Sequence, residues 1–338
     1  GVGNWFCKPT EFPNGLKPVS DECHRLGMRF VVWFEPERVG LESQIAKEHM
    51  DFVFKGEHSH LFKLNDPKAR RWLTDLLLQR IKEYGIDVYR NDFNIEPLHF
   101  WRKYDEPNRE GMNEIRYVEG LYEMWDELRA KNPKLLIDNC ASGGRRIDLE
   151  MCMRSVPLWR SDSGCSPGHI DWNHGQTCAL SQYIPLHTVA TWSPDPYETR
   201  SAATAGAILE WGYLEDGFPI PLAKATVAEA KENQKYWYGD FYPLTPVGNA
   251  PIEFVAWQLH RPDLDAGLVL AFRRAQCGSE RLKVALAAVK ADAKYSVEVI
   301  NDARQKAAKT ITGAELTALE LEIDHKPGSL IARYSLAK

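Results

Sequence analysis

"IDVYRNDFN", residues 86–94, is the stretch on which the fold turns. Ile86, Val88 and Tyr89 read as a short apolar strand. Yet the strand ends in Arg90, Asn91 and Asp92, with Asn94 just beyond. Charge gathered at one tip of a buried strand has two explanations. Either Arg90 and Asp92 form a structural ion pair, or the tip faces a ligand, as strand ends do at the C-terminal edge of a parallel sheet.

The neighbouring segments favour the parallel sheet. "MRFVVWF" (28–34) is a continuous apolar run, as expected of a strand buried on both faces. "DFVF" (51–54), "KLLIDNC" (134–140), "VPLWRSD" (156–162) and "YIPLHTVA" (183–190) read as further strands. Helical patterns separate them. "DPKARRWLTDLLLQRIKEYG" (66–85) has Asp66 as N-cap, Pro67 in the first turn and Gly85 as the stop. "NEIRYVEGLYEMWDELRAKNP" (113–133) places Ile115, Val118, Leu121, Tyr122 and Trp125 on one face. "LESQIAKEHM" and "LAKATVAEAKENQKYWYG" are further helical stretches, and residues 198–216 read as a small-residue-rich helix leading to a short strand.

Strands alternating with helices, ending in polar residues (Glu35, Asp92, Cys140, Asp162 and His187, with Asp216 a sixth candidate), predict an α/β fold of the (β/α)8 TIM-type barrel. A doubly wound open sheet is the alternative, but no glycine-rich phosphate loop follows the first strand. After about residue 246 the pattern changes to short strands separated by turns, predicting a small antiparallel β-sandwich. The expected domains are therefore a catalytic barrel over 1–245 and a C-terminal sandwich over 246–338.

The 338 residues carry a net charge of −5, with no basic run, which argues against nucleic acid as a partner. No apolar run approaches the ~18 residues of a membrane span. Seven cysteines form no CxxC pair, and the Cys/His spacing suggests no zinc site. They read as reduced, mostly buried thiols; if so, the compartment is cytoplasmic, but no leader sequence decides it. Eleven tryptophans suit a core or the stacking of ring faces on sugars.

Asp92 and Asp162 each end a strand and each has an arginine two residues before it, Arg90 and Arg160. Two carboxylates in one pocket could serve as nucleophile and acid/base of a retaining glycosidase, which holds them ~5–5.5 Å apart. Two ion pairs closing the top of a barrel fit the spacing equally well.

Four ordered motifs resemble glycoside hydrolase family 36, the retaining α-galactosidases. "PNGLKPVSDECHRLGMRFVVWFEPERV" is similar to that family's P-x-G-L…W-x-E-P-E-M-V segment. "YRNDFN" resembles its K-W-D-M-N motif, "DNCASGGRRID" its C-S-G-G-G-G-R-F-D loop, and "LWRSDS" its W-T-S-D-D motif. The resemblance implies a retaining hydrolase of terminal α-galactose, with Asp92 as nucleophile and Asp162 as acid/base. It implies that Trp33, Arg90, Asn94, Cys140 and Gly143 line the sugar subsite, and Arg160 is grouped with them. Glu35, Glu37, Arg146 and Asp148 match motifs as bracing residues. No metal or organic cofactor is implied, and the expected partner is a carbohydrate.

The departures bear on the substrate. Arg90 stands for the family's lysine, Asn91 for its tryptophan, Ser163 for its second acidic residue, and Glu57 for an arginine. His58 and His60 read as surface residues. The family's first two barrel strands have no counterpart, so a segment outside this chain or a homo-oligomeric partner is expected to supply them. An α-N-acetylgalactosaminidase or related α-glycosidase, a transglycosylase, and a non-catalytic carbohydrate-binding protein are the alternatives.

Overall fold

The computed structural model describes residues 1–202, 204 and 206–337. Ala203 and Ala205, inside the expected helix over 198–216, and Lys338, at the end of the expected sandwich, lie outside the described residues. The chain divides into two compact units, Gly1–Pro157 and Leu158–Lys338.

The first unit runs α1 (Lys17–Arg25), β1 (Val31–Phe34), β2 (Arg38–Val39), α2 (Gln44–Glu48), β3 (Val53–Phe54), β4 (His60–Phe62), α3 (Pro67–Tyr84), β5 (Val88–Asn91), α4 (Leu98–Lys103), α5 (Met112–Lys131), β6 (Leu136–Asn139) and α6 (Leu149–Arg154). Its centre is a parallel sheet in the order β1–β5–β6. The helices follow from local signals. The Asp66 carboxylate caps α3 by accepting from the Lys68 and Ala69 amides, and Gly85 ends it at φ 67°. α5 packs close because Gly120 has no side chain: a Cβ there would lie 2.2 Å from the Leu64 carbonyl oxygen. The core joins Leu73, Leu77 and Ile81 of α3 to Leu121, Trp125 and Leu128 of α5 and to Phe34, Tyr89 and Ile137 of the sheet.

Several expectations change here. β1 is an edge strand, so Val31 (51% exposed) and Trp33 (42%) are open rather than buried on both faces. The extended piece at 51–54 does not join the parallel sheet. Val53 and Phe54 pair antiparallel with β4, which also pairs with β2. The buried face of α5 is Tyr117, Gly120, Leu121, Met124, Trp125 and Leu128, while Ile115 is exposed. The predicted strand at 156–162 is reduced to bridges from Val156 to Asp138 and from Trp159 to Thr188.

The second unit comprises α7 (Ile170–Leu180), β7 (Ala190–Thr191), α8 (Pro196–Ala202), β8 (Ile208–Leu209), α9 (Ile220–Asn233), β9 (Asp240–Pro243), β10 (Phe254–Arg261), β11 (Ala266–Arg273), β12 (Arg281–Val284), β13 (Lys294–Ile300), β14 (Lys306–Thr312), α10 (Gly313–Leu316), β15 (Leu319–Glu322) and β16 (Gly328–Leu336). β7 and β8 are parallel. β9 to β11, β13, β14 and β16 form a six-stranded antiparallel sheet, and β12 pairs with β15. Val284, Leu319 and Leu321 of that ribbon pack on Val269, Ala271 and Tyr295 of the larger sheet. β9 already belongs to this sheet, so the antiparallel region begins one strand before residue 246.

Candidate active site

The register of the parallel sheet assembles the first group of residues. Trp33 lies opposite Arg90, and Arg90 opposite Asp138. Beyond the strand ends the ladder continues: the Asp92 amide donates to Phe34 O (2.8 Å) and the Cys140 amide to Asn91 O (2.9 Å). With side chains alternating between faces, Arg90 and Asp92 share a face with Trp33, Asp138 and Cys140.

Asp92 is 8% exposed. Its Oδ2 accepts from Trp33 Nε1 at 3.0 Å and its Oδ1 from the Phe93 amide at 2.7 Å. Burial alone would raise its pKa. The bonds from Trp33 and the Phe93 amide, with the donor groups of Asn94 and Cys140 nearby, outweigh burial and hold the carboxyl below the ordinary carboxylate range. The same burial pushes the Cys140 thiol up to about 12, so it is a neutral donor beside the carboxylate. Arg90 is salt-bridged to Asp138, with Asp92 a further attraction. The stabilisation of ionised Asp92 thus comes chiefly from its hydrogen bonds, not from the neighbouring arginine that the sequence brings forward.

Behind this face lies a buried polar lattice. Glu37, fully buried, accepts from both guanidinium nitrogens of Arg146 (2.8 and 2.6 Å), from Tyr117 Oη (2.9 Å) and from Asn91 Nδ2 (3.2 Å). Asn91 Oδ1 accepts from Tyr89 Oη (2.8 Å) and Trp125 Nε1 (3.1 Å). Glu35 is bound by Arg38 Nε at 2.7 Å and accepts the Asn94 amide. The bracing role expected of Glu35, Glu37 and Arg146 is what the geometry describes, whereas Asp148 caps α6 through the Met151 amide (3.0 Å). Gly143 is buried at φ 80°, its carbonyl accepting the Ala141 amide.

The second unit carries Asp162, which is exposed and accepts from Trp159 Nε1 at 2.9 Å. Arg160 does not stand beside it as expected. The chain turns at Asp162 into a short 3₁₀ segment, Asp162–Cys165, so the two side chains no longer share a strand face. Arg160 is 2% exposed, and its fork is spent on Thr177 Oγ1 (2.8 Å), the Asn173 carbonyl (2.8 Å), His187 Nδ1 (3.2 Å) and Gln176 Oε1 (3.2 Å). Burial lowers its pKa to about 9. Arg160 is a scaffold residue, not a surface for substrate. His60 also differs from expectation: it is buried and accepts the Gly56 amide at 3.1 Å, while Glu57 and His58 are exposed.

Asp138, and the place of Asn91 in the buried lattice, escaped the sequence reading. The signal was parity: Asp138 precedes Cys140 by two residues, as Arg90 precedes Asp92. Among the described residues no cluster of three or more His, Cys, Asp or Glu side chains could hold a metal ion. None of their helices is long and apolar enough to cross a membrane.

A parallel sheet with acid, amide and indole groups at its C-terminal edge is a construction common to α/β enzyme domains. The chain belongs to the melibiase family, whose model matches residues 1–208, and with it to glycoside hydrolase family 36. Alpha-galactosidase 1 of Pediococcus pentosaceus is 26% identical over 293 residues, covering 80% of this chain and 39% of that protein. The chain thus spans about two-fifths of the length of this curated relative. Alpha-galactosidase AgaA of Geobacillus stearothermophilus superposes with a TM-score of 0.84 at 20% identity, over 100% of this chain and 49% of that one. A variant of AgaA solved in complex with raffinose gives 0.83 at 19% identity, again over 100% and 49% of the two chains. The fold is that of these enzymes.

Proposed function

We propose that the protein is a retaining α-galactosidase that removes terminal α-linked galactose from oligosaccharides by double displacement. Asp92 attacks the anomeric carbon, forming a C–O bond as the glycosidic bond breaks, and Asp162 gives its proton to the leaving oxygen. Asp162 then takes a proton from water, which displaces Asp92 and restores the configuration. In this reading residues 1–245 contribute to a (β/α)8-type barrel. Trp33, Arg90, Asn94, Cys140 and Gly143 line the galactose subsite, with the exposed indole of Trp33 offering a face to the sugar's C–H surface.

The observation that carries the proposal is the setting of Asp92. A nucleophilic carboxylate must stay ionised while buried, and the Trp33 indole and the Phe93 amide donate to Asp92 and favour that state. The relative solved with raffinose makes an α-galactoside the natural first substrate to try.

The test is Asp92→Ala against chromogenic α-galactoside, with α-N-acetylgalactosaminide assayed in parallel. Turnover should vanish, and azide should restore it partly with a β-linked galactosyl azide as product. Asp162→Ala should lose ~10²–10⁴-fold on substrates with poor leaving groups. Wild-type turnover in Asp92→Ala would refute the assignment, and preference for the acetamido sugar would move the specificity.

A further inference from the structure

β5 ends at Asn91, and Asp92 is the first residue beyond it. The sheet still holds one side of that residue, since its amide donates to Phe34 O at 2.8 Å. Its carbonyl falls past the paired strands, where a buried oxygen needs a donor from elsewhere. The donor is the side chain of the preceding residue: Asn91 Nδ2 lies 3.2 Å from Asp92 O.

We propose that Asn91 is a positioning residue for this site: its amide fixes the peptide plane that follows Asp92, and with it the aim of the Asp92 carboxylate. The inference rests on the reading of Asp92 as nucleophile.

The link is geometric. The Asp92 carbonyl and the Phe93 N–H belong to one peptide unit, which is planar, so holding its oxygen also holds its N–H. That N–H donates to Asp92 Oδ1 at 2.7 Å. A turn of the plane would therefore pull the carbonyl from Asn91 and the donor from the carboxylate together. Trp33 Nε1, 3.0 Å from Oδ2, holds the other carboxylate oxygen.

Asn91 can do this because its own orientation is settled by its neighbours. Trp125 Nε1 lies 3.1 Å from one end of the amide, and an indole can only donate, so that end is the oxygen. Tyr89 Oη, 2.8 Å away, gives the same oxygen a second donor. The other end faces two acceptors, Glu37 Oε1 and Asp92 O, each at 3.2 Å, one for each amide hydrogen. Reversing the amide would set oxygen against oxygen twice and leave the indole without its acceptor. Asn91, Trp125, Tyr89 and Glu37 are all fully buried, so water does not compete for these bonds. In the K-W-D-M-N motif that "YRNDFN" resembles, a tryptophan stands at the place of Asn91. An indole has one donor and no acceptor, so the arrangement belongs to this chain's own sequence.

The test uses Asn91→Leu, which roughly keeps the volume and removes every bond of the amide, and Asn91→Ser, which leaves one hydroxyl donor. Each is assayed on chromogenic α-galactoside alone and, combined with Asp92→Ala, under azide rescue. Asn91→Leu should lower kcat by ~10- to 10²-fold at nearly constant KM, the range for a reacting group misplaced by about an ångström. Asn91→Ser should fall between it and wild type. With Asp92→Ala, where azide supplies the nucleophile, neither change should lower the rescued rate further. An undiminished kcat in Asn91→Leu would overturn the proposal. So would an equal loss with and without Asp92, the mark of general damage to the site. A second readout needs no turnover: the Trp33 indole N–H in ¹H–¹⁵N spectra, assigned by its loss in Trp33→Phe. It should move upfield and exchange faster with water in both Asn91 variants, as its acceptor on Asp92 shifts, and an unmoved signal would overturn the proposal too. A wild-type protein inactive on α-galactosides would sink the functional reading, and the indole signal would still judge whether Asn91 aims Asp92. If Asn91→Leu does not fold, Asn91→Ser carries both measurements.

Discussion

Replacing Arg146 with methionine isolates the worth of the buried lattice behind the sheet. Glu37 is fully buried, and Arg146 supplies two of its four hydrogen bonds and its countercharge. The methionine leaves a carboxylate in the core held only by Tyr117 and Asn91. Removing one partner of a buried pair costs ~3–5 kcal/mol. The chain has two compact units, so a global melt mixes two transitions. Hydrogen exchange of the β5 and β6 amides reads the first unit directly. At ~1.4 kcal/mol per tenfold, the loss should appear as exchange roughly 10²- to 10⁴-fold faster. Glu37→Gln in the same background removes the stranded charge yet keeps an acceptor for Tyr117. It should recover about 0.5–3 kcal/mol. Acceleration of less than about tenfold in Arg146→Met, or no recovery in the double variant, would show that the pair is not what holds these strands.

Two further outcomes concern titratable groups. Burial and the nearby Arg160 lower His187 to about 3, so the folded state binds its proton far later than the unfolded chain. Stability should therefore fall as the pH drops from the ordinary histidine value toward 3, by up to ~1.4 kcal/mol per pH unit, and His187→Gln should flatten that slope in urea titrations. An unchanged slope would remove His187 from the acid lability. Cys140 is buried with its thiol pushed up to about 12, whereas Cys165 is exposed, so iodoacetamide at pH 8 should label Cys165 well before Cys140 by peptide mass mapping. Equal labelling would contradict the packing of Cys140 against Asp92.

What the sequence disclosed was mostly local. Asp66, Pro67 and Gly85 bound α3 because capping is a matter of adjacent atoms. The Arg90–Asp92 tip was legible because a strand's alternation places both on one face. Arg160 misled by the same rule. Its spacing to Asp162 matches, but the 3₁₀ turn at Asp162 breaks the alternation, and only tertiary packing on α7 shows where the guanidinium goes. "MRFVVWF" looked buried on both faces because composition cannot tell an edge strand from a central one. Arg145, on the loop after β6, was hidden for another reason: two of its partners are the Phe93 and Ile95 carbonyls of the loop after β5, which leave no trace in residue identity.

The parallel register has a practical consequence for engineering. Trp33, Arg90 and Asp138 sit side by side in one row across three strands, whose neighbours are ~4.8 Å apart. Each member's space and charge is set by the one beside it. Changing Arg90 alone would remove the salt bridge to Asp138, and changing Trp33 alone would remove a donor from Asp92. On the proposed function, a library meant to change the sugar specificity should therefore draw its variation by rows, all three positions together, rather than walking along any single strand.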